Sequence, residues 1–221
     1  MSLLGAAVLT IWNGMAPGAD ADFAAWHVRE HMPERLAVPG FLRGRRYAAI
    51  DAHPAYFNFY ETESAAVLTS PDYLARLNAP SPWTRRVVAQ FRDTGRTICD
   101  VTSSRGRGEG GVIETIEFGA AGAALPQATL AALLDAPGIV GVHLCQGRPA
   151  ESGGGTAEKA LRDQPDRIAD WVLLVEAIDA EAIRAARRGA GSDAALGVGT
   201  DSRRGLYALQ FGLRAQTGES A

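Results

Sequence analysis

Two histidines one helical turn apart form the most chemically suggestive pattern in this chain of 221 residues. His27 and His31 stand at positions i and i+4 of a predicted helix, so both imidazoles point to the same side. Histidine titrates near neutral pH and can relay a proton between its ring nitrogens. The pair could therefore supply a general base and a hydrogen-bond donor, with the carboxylate of Glu30 fixing the tautomer. We take His27 and His31 as the candidate catalytic residues.

Candidate substrate-binding residues lie on predicted strands. Strand periodicity places on one face Trp12, Arg45, Tyr47, Asn58 and Tyr60. The rings would stack on a planar, oxygenated molecule, the arginine would hold an enolate or carboxylate, and the tyrosines would donate protons. Phe57 and Phe59 are assigned to the opposite, helix-packing face. The alternative is a barrel core filled by aromatic rings with satisfied hydroxyl groups.

Two further candidates, Glu30 and Trp83, belong to predicted helices. The histidine pair shares a helical face with Phe23, Glu30 and Glu34, and that face either is solvated or borders a cavity. Trp83 follows two prolines, where it either caps the pocket or packs at a helix start.

A metal is the other use for two imidazoles at this spacing. The residue after the first imidazole is Val28, so the HExxH motif is absent, and no third ligand stands out downstream. His53 and His143 lack a context that would mark either as a haem ligand. We predict neither a metal nor a cofactor.

Apolar runs and turn residues predict the order β-α-β-β-α-β twice. The first half has strands at 6–12, 41–50, 55–61 and 97–102, a helix at 20–36 interrupted at Pro33, and helical pieces broken at Pro71 and at Pro80-Ser-Pro82. The second half has strands at 112–118, 139–146, 171–178 and 206–213, and helices at 126–135 and 180–188.

A helix followed by Pro-Gly and a strand marks the same point in both halves, at 38–41 and at 136–139. We predict an α+β fold of two tandem ferredoxin-like repeats, 1–104 and 112–215, joined by a Gly-rich linker at 105–111. Their sheets would face each other across a central cavity. A longer loop in the second half, 148–168, would be flexible and either a lid or an inert insertion. In this register His27 and His31 align with Leu125 and Thr129, which favours the first repeat as the site-bearing one.

Several local motifs carry a resemblance to a known family. They are the Trp-His helix ending in Pro-Gly-Phe41, the strand with Arg45-Arg-Tyr47, and the segments 56–61, 70–73 and 82–84. This pattern resembles the dimeric α/β-barrel superfamily and, within it, the EthD-like group, best over 1–102 and only in topology over 112–213. The resemblance implies a ligand pocket between sheet and helices. The superfamily contains cofactor-free cyclases, dehydratases, isomerases and monooxygenases, beside haem-binding enzymes.

Composition narrows the other possibilities. The net charge of −3 and pI of about 5.8 give no general basic field for nucleic acid. The apolar run at 3–12 is too short for a membrane helix, and Cys99 and Cys145 form neither a metal motif nor a disulfide framework. We therefore expect a cytoplasmic protein that binds a small hydrophobic or aromatic molecule, with a homodimer possible through exposed sheet edges.

The leading hypothesis is a cofactor-free enzyme acting on an aromatic or polyketide-like carbonyl compound. Its reaction would be proton transfer, as in dehydration, cyclisation or isomerisation, or oxygenation. The alternatives are a non-catalytic small-molecule binding protein, a stress-associated protein, and a structural oligomer whose cavity is packed with side chains.

Overall fold

The computed structural model describes residues 3–119, 125–162 and 164–216. Its strands are β1 Ala7–Met15, β2 Phe41–Asp51, β3 Tyr56–Thr62, β4 Phe91–Gly106, β5 Val112–Phe118, β6 Ile139–Gly147, β7 Trp171–Ala177 and β8 Arg203–Arg214. Its α-helices are α1 Asp20–Trp26, α2 Met32–Leu36, α3 Pro71–Asn78, α4 Pro82–Val88, α5 Gln127–Leu134, α6 Pro149–Ser152, α7 Ala180–Arg187 and α8 Asp193–Leu196. Short 3₁₀ turns cover Ala65–Thr69 and Lys159–Leu161.

The strands form one closed antiparallel barrel in the order β1-β3-β2-β8-β5-β7-β6-β4. The first four strands follow the order β4-β1-β3-β2 and the last four the matching order β8-β5-β7-β6. The two groups join through β2 with β8 and through β4 with β6. The fold is thus mixed α+β with an eight-stranded antiparallel barrel. Because the barrel closes, it leaves no unpaired sheet edge, which removes the edge-pairing route expected for a homodimer.

Side chains from both halves fill the barrel interior, where a central cavity was expected. Trp12, Tyr47, Phe57, Phe59 and Tyr207 meet there, each at most 1% exposed. The Phe57 and Tyr207 ring centroids are 5.7 Å apart, which joins the two halves directly. The interior is therefore a packed aromatic core.

The assignment of β3 faces from the sequence was wrong. In the β1–β3 pairing Trp12 lies opposite Phe57, and Leu9 lies opposite Tyr60. Residues directly opposite on neighbouring antiparallel strands share a face, so Phe57 points into the barrel and Tyr60 points out toward the helices. The predicted binding set is therefore divided between two sides of the sheet.

The helical segment with the histidines changes its geometry halfway. Between α1 and α2 the chain forms a π-helical turn over His27–His31, in which the Met32 N–H donates to the His27 carbonyl. Pro33 has no N–H for the carbonyl of Arg29, and its ring crowds that carbonyl, so a regular α-helix cannot continue through this point. The predicted interruption is thus a wide turn at the two histidines.

Both Pro-Gly turns occur where predicted. Gly40 and Gly138 have φ of +88° and +80°, a conformation that glycine adopts without the strain a side chain would cause. The linker prediction holds less well, because Arg105 and Gly106 still belong to β4.

The segment 148–168 packs against the first half. The Arg148 N–H donates to the Ile98 carbonyl over 2.8 Å, and the Glu158 N–H donates to the Leu77 carbonyl over 3.0 Å. Two more backbone hydrogen bonds join the segment to β4: the Arg96 N–H donates to the Arg167 carbonyl, and the Arg167 N–H donates to the Thr94 carbonyl, each over 2.9 Å. Within the described ranges, no helix is long and apolar enough to cross a membrane.

Candidate functional site

A pocket lies between the histidine-bearing helix, the outer face of the first-half strands and the segment 148–168. We call it the histidine pocket, and its volume is about 30 Å³. Its lining comprises Leu9, Ile11, Phe23, Trp26, His27, His31, Arg35, Asn58, Tyr60, Tyr73, Leu77, Phe91, Arg96, Thr156, Glu158, Lys159 and Arg162. The lining combines apolar and aromatic side chains with four cationic ones, those of Arg35, Arg96, Lys159 and Arg162.

His27 is anchored by a strand residue. Its Nε2 lies 3.2 Å from the hydroxyl of Tyr60, and its ring centroid lies 5.4 Å from that of Phe23. The ring is 2% exposed, and its Nδ1 has no hydrogen-bond partner among the described residues. The helical face that could have been solvated is therefore buried against the pocket.

His31 lies one turn further along. Its ring centroid is 4.2 Å from the Trp26 ring and 5.4 Å from the His27 ring. Its Nδ1 is also buried without a partner in the described part of the chain. The pocket thus offers two adjacent imidazoles with an unsatisfied nitrogen on each.

Burial and positive neighbours make both imidazoles weak bases. Burial, then Arg46 and Arg35, lowers the pKa of His27 to about 3. Burial, then Arg35 and His27, lowers the pKa of His31 well below its usual value. Burial raises the pKa of the Tyr60 hydroxyl. At neutral pH both imidazoles are therefore uncharged, and Tyr60 keeps its proton.

Cationic side chains form the charged wall of the pocket. Arg35 Nη2 lies 2.5 Å from Glu158 Oε2, and Arg96 Nη2 donates to the Tyr73 hydroxyl over 3.3 Å. Lys159 Nζ donates to the Ser152 carbonyl over 2.5 Å.

Arg162 pairs with Asp166, which also lies 3.7 Å from Lys159 Nζ. Burial, then Arg96, lowers the pKa of Lys159 to about 8. The wall is thus a cluster of positive charges that repel one another.

Asn58 and Tyr60 are the only members of the predicted binding set that line this pocket. The Asn58 amide donates to Asn13 Oδ1 over 2.8 Å. Trp12, by contrast, lies inside the barrel, where its Nε1 donates to Thr115 Oγ1 over 3.2 Å. Tyr47 also lies inside, and burial raises its pKa.

Arg45, expected to bind a substrate oxyanion, is held in a buried ionic network. Its Nη1 lies 2.9 Å from Glu176 Oε2, and its Nη2 lies 3.2 Å from Glu61 Oε1. The guanidinium also lies over the Phe59 ring, 5.0 Å from the centroid. These contacts tie Arg45 to the barrel core and separate it from the histidine pocket.

Glu30 and Trp83 also lie outside the pocket. Glu30 Oε1 accepts hydrogen bonds from Ser81 Oγ at 2.5 Å and from Thr84 Oγ1 at 3.0 Å, which docks α4 onto the histidine-bearing helix. Trp83 Nε1 donates to Asp22 Oδ1 over 2.8 Å. Glu30 therefore positions a helix, and its carboxylate is not the group that fixes a histidine tautomer.

Four cationic residues of the pocket were missed from the sequence. Arg35 had a detectable signal, because it lies four residues after His31 and so continues the same helical face. Arg96, Lys159 and Arg162 had none, because only the folding of 148–168 onto β4 brings them to the histidines. In the described part of the chain, no group of three His, Cys, Asp or Glu side chains could hold a metal ion.

Comparisons with known proteins identify the fold. No family model matches the chain, and no curated protein matches it in sequence. Among solved structures, an anthrone oxidase-like protein is 13% identical, with 95% of this chain and 92% of that chain covered and a TM-score of 0.57. A "putative monooxygenase" from Fusobacterium nucleatum is 10% identical, with 96% of each chain covered and a TM-score of 0.57.

A "putative chlorite dismutase" is 14% identical, with 94% of this chain and 96% of that chain covered and a TM-score of 0.52. At these identities the likeness shows the fold alone: an α+β barrel, of the kind implied by the resemblance of the sequence motifs to the dimeric α/β-barrel proteins. The EthD-like assignment stays a prediction.

Proposed function

We propose that the protein is a cofactor-free enzyme that transfers a proton to or from an aromatic or polyketide-like carbonyl compound in the histidine pocket. The observation that carries this proposal is the enclosure of two uncharged imidazoles, one hydrogen-bonded to Tyr60, beside a cationic wall. His27 or His31 acts as the base. Dehydration, cyclisation and isomerisation all begin with such a step.

The role predicted for Arg45, binding of the substrate's enolate oxygen, belongs in this proposal to the cationic wall. When a neutral imidazole removes a proton from carbon next to a carbonyl, an imidazolium and an enolate form together. Arg35 and Arg162 lie close enough to lower the pKa of His31, so they would also stabilise the enolate oxygen. The enolate in turn offsets the positive field and raises the pKa of the imidazole, so the substrate makes its own base stronger.

Oxygenation is a second outcome of the same step. An enolate that reacts with dioxygen can convert a CH₂ group to a carbonyl, with one oxygen atom entering the product and the other leaving as water. Support for this outcome comes from the fold shared with proteins described as anthrone oxidase-like and as monooxygenases. Fold alone does not determine a reaction, so the experiment must separate the two outcomes.

We also propose that the barrel consists of two tandem ferredoxin-like repeats of the EthD-like type, 1–104 and 112–215, within a cytoplasmic protein. The matching strand orders of the two halves support the repeats. A homodimer, if formed, would use helical or loop surfaces.

Deuterium exchange tests the proposed function. Anthrone and related acidic aromatic ketones are incubated with the protein in D₂O under nitrogen, and loss of the acidic C–H signal is followed by NMR. We expect exchange above the buffer rate, and its loss in the His27→Gln/His31→Gln double variant. A repeat in air shows whether an oxygenated product forms. Exchange at the buffer rate for every ketone would contradict the proposal.

A non-catalytic binding protein is the second candidate. The lowered pKa of both imidazoles favours it, because a base is most effective when its pKa lies near the working pH. Saturable binding of the same ketones without exchange or product would support this alternative.

A further inference from the structure

The charges around the histidine pocket do not balance. Four cationic side chains line it, from Arg35, Arg96, Lys159 and Arg162. Glu158 pairs with Arg35, and the Asp166 carboxylate serves both Arg162 and Lys159. With both imidazoles uncharged, these six side chains, of which Asp166 lies just outside the lining, carry four positive charges and two negative ones. Among these residues Arg96 has no carboxylate partner, and a tyrosine hydroxyl takes its place.

Unsatisfied donors accompany this excess. Arg35 Nη1 and Arg162 Nε are buried without a hydrogen-bond partner in the described ranges, on side chains only 3% and 8% exposed. A buried charge whose donors are unpaired is costly, because it has lost water and gained nothing in return. An anion in the pocket would restore both the charge balance and the hydrogen bonds.

The rest of the pocket lining is largely apolar. Leu9, Ile11, Leu77 and Phe91 belong to it together with the Trp26 ring. A ligand that matches both kinds of lining has one anionic group and an apolar, ring-sized body.

We propose that the histidine pocket binds a small aromatic carboxylic acid whose carboxylate is held by Arg96 and Arg162, with Lys159 beside them. Planar guanidinium groups match the geometry of a carboxylate, and a small pocket favours this compact group over a larger phosphate. The inference rests on the proposed function in that it names the substrate class, but binding itself requires no turnover.

The two halves of the chain contribute different parts of this site. The imidazoles come from the helix before β2, whereas Lys159 and Arg162 come from the segment 148–168 of the second half. This segment therefore determines which acids bind. A benzene ring is larger than the pocket volume of about 30 Å³, so its entry requires the apolar side chains of the lining to move apart, while Arg96 and Arg162 hold the carboxylate.

Calorimetric titration of the full chain tests the inference, with benzoate as the probe and benzamide as its neutral counterpart. We expect benzoate to bind about tenfold tighter than benzamide or better. Arg96→Gln and Arg162→Gln should each weaken benzoate about tenfold and leave benzamide within about twofold. Arg184→Gln is the matched control, because it removes the same charge from an exposed position on α7 and should leave both affinities unchanged.

Equal affinity for benzoate and benzamide, absence of benzoate binding, or full benzoate affinity in both pocket variants would overturn the proposal. Tighter binding of phenyl phosphate than of benzoate would overturn the carboxylate assignment. If the two arginine variants fail to fold, Lys159→Gln provides the same comparison at a half-buried position.

The outcomes separate this inference from the proposed function. If benzoate binds more tightly than benzamide and no ketone exchanges its proton, the inference is supported and the proposed enzymatic activity is contradicted. The opposite result has two parts: neutral ketones exchange equally fast in the wild type and in Arg162→Gln, and benzoate and benzamide bind equally well. It would support the enzyme and contradict the inference.

Discussion

The hydroxyl of Tyr60 and Nε2 of His27 are 3.2 Å apart, and both groups are buried where β3 meets the π-helical turn. A strand residue thus orients an imidazole that the helix alone would leave free to rotate. Tyr60 also fixes the distance between helix and sheet at the pocket.

Tyr60→Phe should reduce the proposed proton exchange about tenfold and change benzoate affinity little, because it removes the partner of His27 and spares the cationic wall. The buried Nε2 loses its hydrogen bond, so we expect the free energy of unfolding to fall by about 1–3 kcal/mol. Exchange rates, titration and urea denaturation measure the three quantities. A loss of benzoate affinity as large as the loss of exchange would mean that Tyr60 shapes the pocket instead of positioning the base.

Stability should fall as the solution is acidified from pH 6.5. The His27 pKa is about 3 in the folded protein and 6.5 at its ordinary value, so between these limits the unfolded chain binds a proton that the folded protein excludes. Between pH 7 and pH 5, the free energy of unfolding of the wild type should fall relative to that of His27→Gln by about 2 kcal/mol.

Denaturant titrations at the two pH values measure this difference. His53→Gln serves as the control for removal of a histidine from the surface, because this side chain is exposed and lies outside the histidine pocket. Parallel curves for the wild type and His27→Gln would contradict the burial of an uncharged imidazole.

Lys159 should react selectively with amine reagents. It is the only lysine in the chain, and a pKa of about 8 leaves about half of its amine unprotonated at pH 8. We expect acetylation at Lys159, measured by peptide mass spectrometry, to slow when benzoate occupies the pocket. Lys159→Arg identifies the background from the N-terminal amine. Acetylation at the same rate with and without benzoate, at a concentration shown to saturate, would place the ligand elsewhere.

Arg45→Met should destabilise the fold without affecting the ligand. The substitution removes the cation that lies between the carboxylates of Glu61 and Glu176 in the barrel interior. Glu61 keeps its ion pair with Arg43, whereas Glu176 loses its arginine, and the loss of one partner from a buried ion pair costs about 3–5 kcal/mol. Urea denaturation should show this loss, while benzoate affinity of the folded protein stays unchanged. Arg45→Met/Glu176→Gln should recover part of the stability. If Arg45→Met has the stability of the wild type but binds benzoate weakly, Arg45 is part of the binding site.

The strands and helices were largely predictable, because apolar runs bounded by proline and glycine mark them locally. β5 has the predicted bounds, 112–118, and both Pro-Gly turns lie where the repeat placed them. β4 begins six residues earlier than predicted, at Phe91. The residues after Phe91, from Arg92 to Arg96, are polar or glycine, and their pairing with β1 is a long-range contact that leaves no local sequence signal.

The division of residues between the two sides of the sheet was not predictable from alternation. In a closed barrel covered by helices both faces of a strand are buried, so hydrophobicity does not distinguish Phe57 and Phe59 from Asn58 and Tyr60. Only the pairing register separates them. For the same reason Arg45 and Tyr47 were predicted to line the binding pocket. In the structure they lie inside the barrel, and the sheet separates them from that pocket.

Closure of the barrel within a single chain has a consequence for stoichiometry. Two identical chains related by a twofold axis would present two equivalent sites. In the register predicted from the sequence, Leu125 and Thr129 stand opposite His27 and His31, and residues of the segment 148–168 line the pocket of the first half. The second half therefore lacks the two imidazoles in that register, so a ligand should saturate the histidine pocket at one equivalent per chain.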